Sequence, residues 1–80
     1  MTDVSKTLKE NLRKSLISCR LKRGFTQKDV GELIGRSETA VASWEQGLSS
    51  PNVVTLYRLS KIYQVSSDDM IEGKCLREGV

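Results

Sequence analysis

The 80-residue chain has no histidine, one proline and two cysteines. Without histidine it lacks the commonest general base and the imidazole ligand of zinc, and two cysteines cannot supply the four soft ligands of a structural zinc site. A nucleophile-elbow motif, a Gly-rich phosphate loop and a carboxylate pair in an evident cleft are also missing. We therefore expect a protein that is not an enzyme and that needs no metal or cofactor.

Long apolar runs are missing as well. No stretch approaches the roughly eighteen consecutive apolar residues of a membrane-spanning helix, and the polar opening MTDVSKTLKENLRK has no signal-peptide pattern. We expect one soluble, cytoplasmic domain over residues 1–80, without a membrane segment. Because so short a chain buries only a small core, we place that core at about residues 8–73, with flexible tails or dimer contacts at 1–6 and 74–80.

Basic charge is concentrated in the first half of the chain. Residues 1–36 contain nine Lys and Arg and four Asp and Glu, a net charge of +5, whereas residues 37–80 have a net charge of −2. Such a distribution suits a polyanionic partner such as nucleic acid. An ordinary solvated surface with uneven charge explains it equally well, so composition alone leaves both interpretations open.

The apolar spacing predicts helices throughout, because no stretch shows strict period-two alternation. One face recurs at helical spacing over about residues 6–23, formed by Leu8, Leu12, Leu16 and Cys19. Gly24 follows as a typical C-terminal stop. In this helix Cys19 is interpreted as a small buried hydrophobe rather than as a redox residue.

Four further helices are predicted from capping residues followed by apolar positions. The predicted N-caps are Thr26, Ser37, Asn52 and Ser66, the first and last with an Asp at capping-box spacing. Gly35, Gly47 and Gly73 are predicted to end three of these helices. The expected inward side chains are Val30, Leu33, Ile34, Val41, Trp44, Val54, Leu56, Leu59, Ile62, Tyr63, Met70 and Ile71.

The spacing within residues 27–46 predicts a helix-turn-helix. Two helices of about nine and ten residues are separated only by Gly35, Arg36 and Ser37, so they must cross steeply. Gly31 lies where the second helix has to admit the third. A glycine within a helix costs about 1 kcal/mol relative to alanine, and close helix packing would explain its presence.

The residues in this order resemble the phage-repressor (Cro/C1, or XRE) family of DNA-binding domains. The matching pattern is Arg20-x-x-x-Gly-Phe-Thr-Gln27, Val30-Gly-x-x-Ile-Gly35, Val41-x-x-Trp-Glu-x-Gly47, then Pro51, Leu56, Leu59 and IYQVSSDDMIEG. The resemblance implies an all-α, compact, five-helix lambda-repressor-like domain. It also implies a sequence-specific regulator of transcription, expected to repress from an inverted-repeat operator in double-stranded DNA as a homodimer.

The resemblance also implies which residues meet DNA. Gln27 and Arg36 would contact phosphates, and Glu38, Thr39 and Ser43 would meet base edges in the major groove. The expected DNA-contacting set is completed by Lys28, Gln46, Ser49 and Asn52. Two of these residues have simpler interpretations: Glu38 as a favourable charge at a helix N-terminus, and Gln46 as an exposed polar residue.

Arg20 and Glu45 are interpreted differently, because the resemblance implies a buried structural ion pair between the first and third helices. Gln64 stands where relatives usually have a glycine, so a left-handed turn there would be strained. For the dimer we expect contacts through helix five with Met70, and through Leu76 and Val80. The alternative function is an antitoxin or another protein-interaction module on the same fold, with an unknown protein partner.

Overall fold

The computed structural model describes residues 4–77 of the chain and the side chains of residues 6–75. Within this range the helices are α1 Val4–Lys22, α2 Gln27–Ile34, α3 Glu38–Gln46, α4 Val53–Tyr63 and α5 Ser67–Glu72, followed by a short 3-10 helix, Lys74–Arg77. The five-helix prediction is confirmed, and the 3-10 helix was not predicted. No helix in the described part of the chain is long and apolar enough to cross a membrane.

Local capping sets where the helices begin and end. The side chains of Thr26, Ser37, Asn52 and Ser66 each accept a hydrogen bond from the backbone N–H three residues later, as predicted. Thr26 forms the full capping box, because its own N–H also donates to Asp29 at 2.9 Å. The helices end at left-handed residues, and the one of these that is not glycine is Gln64, with φ 57°.

The core draws on all five helices and on the 3-10 helix. Its buried members are Leu12, Leu16, Cys19, Val30, Ile34, Val41, Trp44, Leu59, Tyr63, Met70 and Cys75. The buried hydroxyl of Ser15 donates to the carbonyl oxygen of Met70 at 2.8 Å and so joins α1 to α5. Burial raises the pKa of the Tyr63 phenol. Because Cys75 is buried, the core extends beyond the limit predicted at residue 73.

Two predicted inward positions are wrong. Leu33 is 55% exposed and Val54 is 61% exposed. In α4 the buried stripe runs through Thr55, Leu59 and Tyr63, so Val54 falls beside it rather than on it. In α2 the buried stripe of Val30, Gly31 and Ile34 likewise leaves Leu33 outside. In both helices an apolar residue stands next in sequence to a buried one, and apolar type alone predicted burial for the exposed residue.

The predicted dimer contact through Met70 is also wrong, because this side chain is fully buried in the core of its own domain. A residue with no exposed surface cannot contact a second copy without unfolding its surroundings. The side chain of Leu76 and the whole of Val80 lie outside the described residues.

Candidate nucleic-acid interface

Gly31 allows α2 and α3 to approach each other. A Cβ atom on Gly31 would lie 2.6 Å from the carbonyl oxygen of Arg36 and 3.1 Å from the carbonyl carbon of Ser37. Both are backbone atoms, which cannot swing aside as a side chain can. The N–H of Arg36 also donates to the carbonyl oxygen of Gly31 at 2.8 Å. The turn is thus packed directly on α2, as the spacing predicted.

The outer face of α3 carries short polar side chains. Glu38, Thr39 and Gln46 are exposed and Ser43 is half-buried, whereas Val41 and Trp44 on the opposite face are in the core. Ser37 accepts from the N–H of Ala40 at 3.1 Å and fixes the first turn of the helix. The predicted base-reading residues therefore share one accessible face of one short, well-capped helix.

A hydrogen bond between two hydroxyls fastens the following loop to α3. Ser43 Oγ and Ser49 Oγ lie 2.8 Å apart, and either can be the donor. Ser49 is exposed in the segment between α3 and α4. Both residues belong to the predicted DNA-contacting set, but no sequence pattern predicts their contact with each other. Ser49 can therefore position Ser43 as well as present its own hydroxyl.

Arg36 is exposed in the turn and has defined neighbours. Its guanidinium carbon lies 5.5 Å from the centre of the Trp44 ring, within the range of a cation–π contact. Nη1 also lies at 3.5 Å, the outer limit of a hydrogen bond, from Thr55 Oγ1. The indole ring thus steadies a positive charge at the surface of the turn, where the predicted phosphate contact would form.

Arg20 and Glu45 form the predicted ion pair. Arg20 Nε donates to Glu45 Oε2 at 2.7 Å, and Nη2 donates to Oε1 at 3.1 Å. The hydrogen bond to Glu45 raises the pKa of the Arg20 guanidinium, which stays cationic. Nη1 of Arg20 donates to the carbonyl oxygen of Phe25 at 2.9 Å. The pair therefore fixes the α1–α2 turn as well as the distance from α1 to α3.

Gln27 belongs to the same network, which the sequence did not indicate. Its amide Nε2 donates to Glu45 Oε1 at 3.0 Å. This contact holds the half-buried Gln27 side chain beside α3. It lies in an open groove shared with Arg20 and with Glu38 at the start of α3. Glu45 consequently orients a predicted DNA-contacting residue in addition to pairing with Arg20.

The remaining predicted residues differ in how accessible their polar atoms are. Lys28 is exposed in the first turn of α2. Asn52 is exposed, but its Oδ1 accepts from the N–H of Thr55 at 2.8 Å as the α4 cap. Its Oδ1 is thus already engaged in the cap, whereas the exposed Lys28 offers a full positive charge from the first turn of α2.

Arg13 in α1 supports α3, and it is not among the residues that the sequence indicated. It pairs with Glu10 at 2.7 Å, and its Nη1 donates to the backbone carbonyl oxygen of Glu45 at 3.3 Å. The hydrogen bond to Glu10 raises the pKa of Arg13. The three-residue spacing of Glu10 and Arg13 was a usable signal for the ion pair. No local pattern indicates the contact with α3.

Comparison with known proteins gives a consistent result. A family model described as helix-turn-helix matches residues 16–70. The transcriptional activator BcrR of Enterococcus faecalis is 33% identical over 52 residues, which cover 65% of this chain and 26% of BcrR. The transcriptional regulator ImmR of Bacillus subtilis is 33% identical over 61 residues, which cover 76% of this chain and 48% of ImmR. The chain thus spans between about a quarter and a half of these two curated relatives.

A solved structure resembles the fold as well as the sequence. The phage P22 c2 repressor, crystallised with a synthetic operator, aligns with a TM-score of 0.74 at 31% identity. The alignment covers 78% of this chain and 94% of the repressor chain in that crystal. The likeness therefore extends over nearly the whole DNA-binding unit of a protein solved on its operator.

Proposed function

The chain belongs to the helix-turn-helix family of the Cro/C1 (XRE) type, and from this premise we propose that it regulates transcription by binding a specific sequence in double-stranded DNA. The observation that carries the proposal is the accessible polar face of α3, on a helix that packs closely on α2 at Gly31. The whole fold is similar to that of a repressor solved with a synthetic operator. In such domains the second helix of the pair enters the major groove with its N-terminal residues at the base edges.

The proposed contacts divide into those that position the domain and those that read sequence. Gln27 and Lys28 would contact phosphates at the positive N-terminal end of the α2 dipole. Arg36 would contact a phosphate from the turn that follows α2. Glu38 and Thr39 face the base edges: Glu38 could accept from a cytosine amino group, and the Thr39 methyl could contact thymine. A good bidentate base contact contributes about 1–3 kcal/mol of discrimination, and these two single contacts should contribute less.

Ser43, Gln46, Ser49 and Asn52 complete the proposed surface, with different roles. Ser43 and Ser49 act as a hydrogen-bonded pair at the α3 end of the loop. Gln46 reaches outward from the last turn of α3. Asn52 contributes through its N–H₂ group, because its carbonyl oxygen caps α4.

We propose that two copies bind one inverted repeat, because one domain of this type reads only a half-site. With Met70 buried, the apolar side chains available for a contact within α4 are Val53, Val54 and Tyr57, all exposed on its outer side. Leu48, in the loop that carries Ser49, adds a fourth exposed apolar side chain. Repression is the expected outcome, as in the P22 repressor, although one relative is named an activator.

The experiment that tests this function is selection of bound sequences from a random double-stranded DNA pool, at low and at moderate salt. We expect enrichment of an inverted repeat whose half-sites lie about one helical turn apart. Thr39→Ala should change the preferred base at one position of each half-site. Lys74→Ala, at an exposed site on the 3-10 helix, is the control and should leave the enriched sequence unchanged.

The opposite result is equally clear. Binding without sequence enrichment, lost as salt rises, would leave only the electrostatic attraction to phosphate. We would then infer that the domain is an antitoxin or another protein-interaction module. The apolar outer side of α4, from Val53 to Tyr57, would be the first surface to probe for a protein partner.

A further inference from the structure

The two cysteines of the chain meet inside the fold. Cys19 in α1 and Cys75 in the 3-10 helix are 56 positions apart in sequence, yet their sulfur atoms lie 3.9 Å from each other. Both side chains are buried, at 3% and 5% exposure. These are the only two cysteines in the sequence, so the fold brings together the complete thiol content of the chain.

A small pocket gives access to this thiol pair. It has a volume of about 190 Å³ and is lined by Cys19, Cys75, Lys22, Arg23, Tyr63 and Val65. The Lys22 ammonium also donates to the carbonyl oxygen of Cys75 at 3.1 Å and anchors the 3-10 helix on α1. The two thiols therefore lie side by side at the wall of a space large enough for several water-sized molecules, which is also large enough for a small oxidant.

We propose that Cys19 and Cys75 are a redox modification site, which a hydroperoxide such as hydrogen peroxide converts to an intramolecular disulfide. The thiolate of one cysteine attacks a peroxide oxygen, which breaks the O–O bond and gives a sulfenic acid and hydroxide. The second thiolate then attacks the sulfenic sulfur, forms the S–S bond and expels a second hydroxide. The two thiol protons convert both hydroxides to water, so the thiols lose two electrons and the peroxide gains two.

The geometry requires only a local adjustment. A disulfide has sulfur atoms about 2.05 Å apart, so the two sulfurs must approach by roughly 2 Å. The short 3-10 helix that carries Cys75 packs on α1 and α5, and a small shift of this helix toward α1 would bring the two sulfurs together. The new bond would close a covalent loop containing α2, α3, α4 and α5. Such a loop stabilises mainly by restricting the unfolded chain.

The test uses the 80-residue protein, reduced and then freed of reductant. After treatment with hydrogen peroxide, intact mass should fall by two hydrogen atoms, and peptide mapping should show Cys19 joined to Cys75. The Tm should rise by about 10 °C or more for a loop of this length, and dithiothreitol should reverse both changes. Cys75→Ala is the control: it should show no loss of two hydrogens and no reversible rise in Tm.

Three results would overturn the proposal. The first is two free thiols persisting after peroxide treatment, titrated in denaturant. The second is oxidation of each sulfur separately to sulfinic or sulfonic acid, and the third is disulfides only between chains. The first would mean that the two cysteines are small hydrophobes packed together. The second and third would mean that the thiols react but do not pair with each other within the chain. Cys19→Ala should behave like Cys75→Ala, so a variant that fails to fold does not decide the outcome.

Discussion

Arg20 and Glu45 form a two-pronged ion pair in which each carboxylate oxygen receives one guanidinium N–H, at 2.7 and 3.1 Å. The Arg20 side chain is 14% exposed and that of Glu45 is 6% exposed. The amide of Gln27 shares one of the carboxylate oxygens. A single acidic residue on α3 thus sets the position of α1 and of the first residue of α2.

Removal of one partner of this pair should be strongly destabilising. We expect Arg20→Ala to lower the free energy of unfolding by about 3–5 kcal/mol, because the Glu45 carboxylate would stay buried without its cation. Urea unfolding measures the loss. The control is Lys74→Ala, whose ion pair with Glu72 is more than half exposed and should change stability by at most about 1 kcal/mol. A loss below 1 kcal/mol for Arg20→Ala would show that water replaces the guanidinium.

Gly31→Ala should destabilise the protein although alanine favours helix. The added Cβ would meet the Arg36 carbonyl oxygen at 2.6 Å, and overpacking of this kind costs about 1–3 kcal/mol. Because the clash is with backbone atoms, we expect a cost in the upper half of this range, which exceeds the gain of about 1 kcal/mol from helix propensity. The unfolding midpoint in urea should therefore fall. Glu32→Ala, at the exposed neighbouring position, is the matched control. An unchanged or higher midpoint for Gly31→Ala would mean that the turn moves away without cost.

Arg36→Gln should weaken DNA binding by a similar factor on all sequences. Loss of one phosphate contact reduces the magnitude of the slope of log K against log salt concentration by about 1. Fluorescence anisotropy on the selected site and on a scrambled site, over a salt series, measures this slope. Lys74→Gln is the charge-matched control. A changed base preference with an unchanged slope would identify Arg36 as a base reader instead.

Gln64→Gly should stabilise the protein. Gln64 ends α4 with φ 57°, a conformation that costs an L residue roughly 1–2 kcal/mol and costs glycine little. Glycine also loses more conformational entropy on folding, which offsets part of this benefit. We therefore expect the free energy of unfolding to rise by about 0.5–1 kcal/mol. The same change at Gln46, within the last turn of α3, should be destabilising. Thermal unfolding of the two variants separates backbone conformation from side-chain loss.

Acid should weaken the start of α2 through Asp29. Its hydrogen bonds with the Thr26 backbone N–H and then the Thr26 side chain hold the Asp29 pKa below its usual value of 3.8. Because the folded-state pKa is lowered, the stabilisation is complete above about pH 5 and is lost as pH falls through about 4 and below. The stability difference between wild type and Asp29→Asn should therefore shrink over this interval. Glu10, whose pKa is also lowered, is present in both proteins, so its contribution cancels in the stability difference. A stability difference that does not change with pH would exclude the Asp29 carboxylate as the cause.

Much of this fold could be predicted because its signals are local. Caps at Thr26, Ser37, Asn52 and Ser66 are encoded within three residues of each helix start, and the close approach at Gly31 follows from the brevity of the turn. Leu33 and Val54 were misplaced because apolar type alone does not show where a buried stripe ends. Contacts between sequence-distant residues, such as Cys19 with Cys75, leave no local pattern at all.

The proposed DNA-contacting surface also has a part that could be predicted from local sequence and a part that could not. The positions of Glu38, Thr39 and Ser43 on α3 follow from helix periodicity once the turn is located. The hydrogen bonds that position the predicted DNA-contacting side chains do not follow from periodicity. Neither the bond from Gln27 to Glu45 nor the one between Ser43 and Ser49 could be predicted from spacing. Such contacts depend on the crossing of whole helices, which is fixed by packing of the complete core.

The hydrogen bond from Ser15 to the Met70 carbonyl has a consequence for synthesis on the ribosome. Its donor is translated 55 residues before its acceptor, and α1 packs on α5 in the folded domain. A nascent chain that has exposed only α1 to α4 therefore lacks the packing of α5 on α1. The contact between α1 and α5 can form only after α5 has left the exit tunnel, so among the five helices this packing is the last to become possible during synthesis.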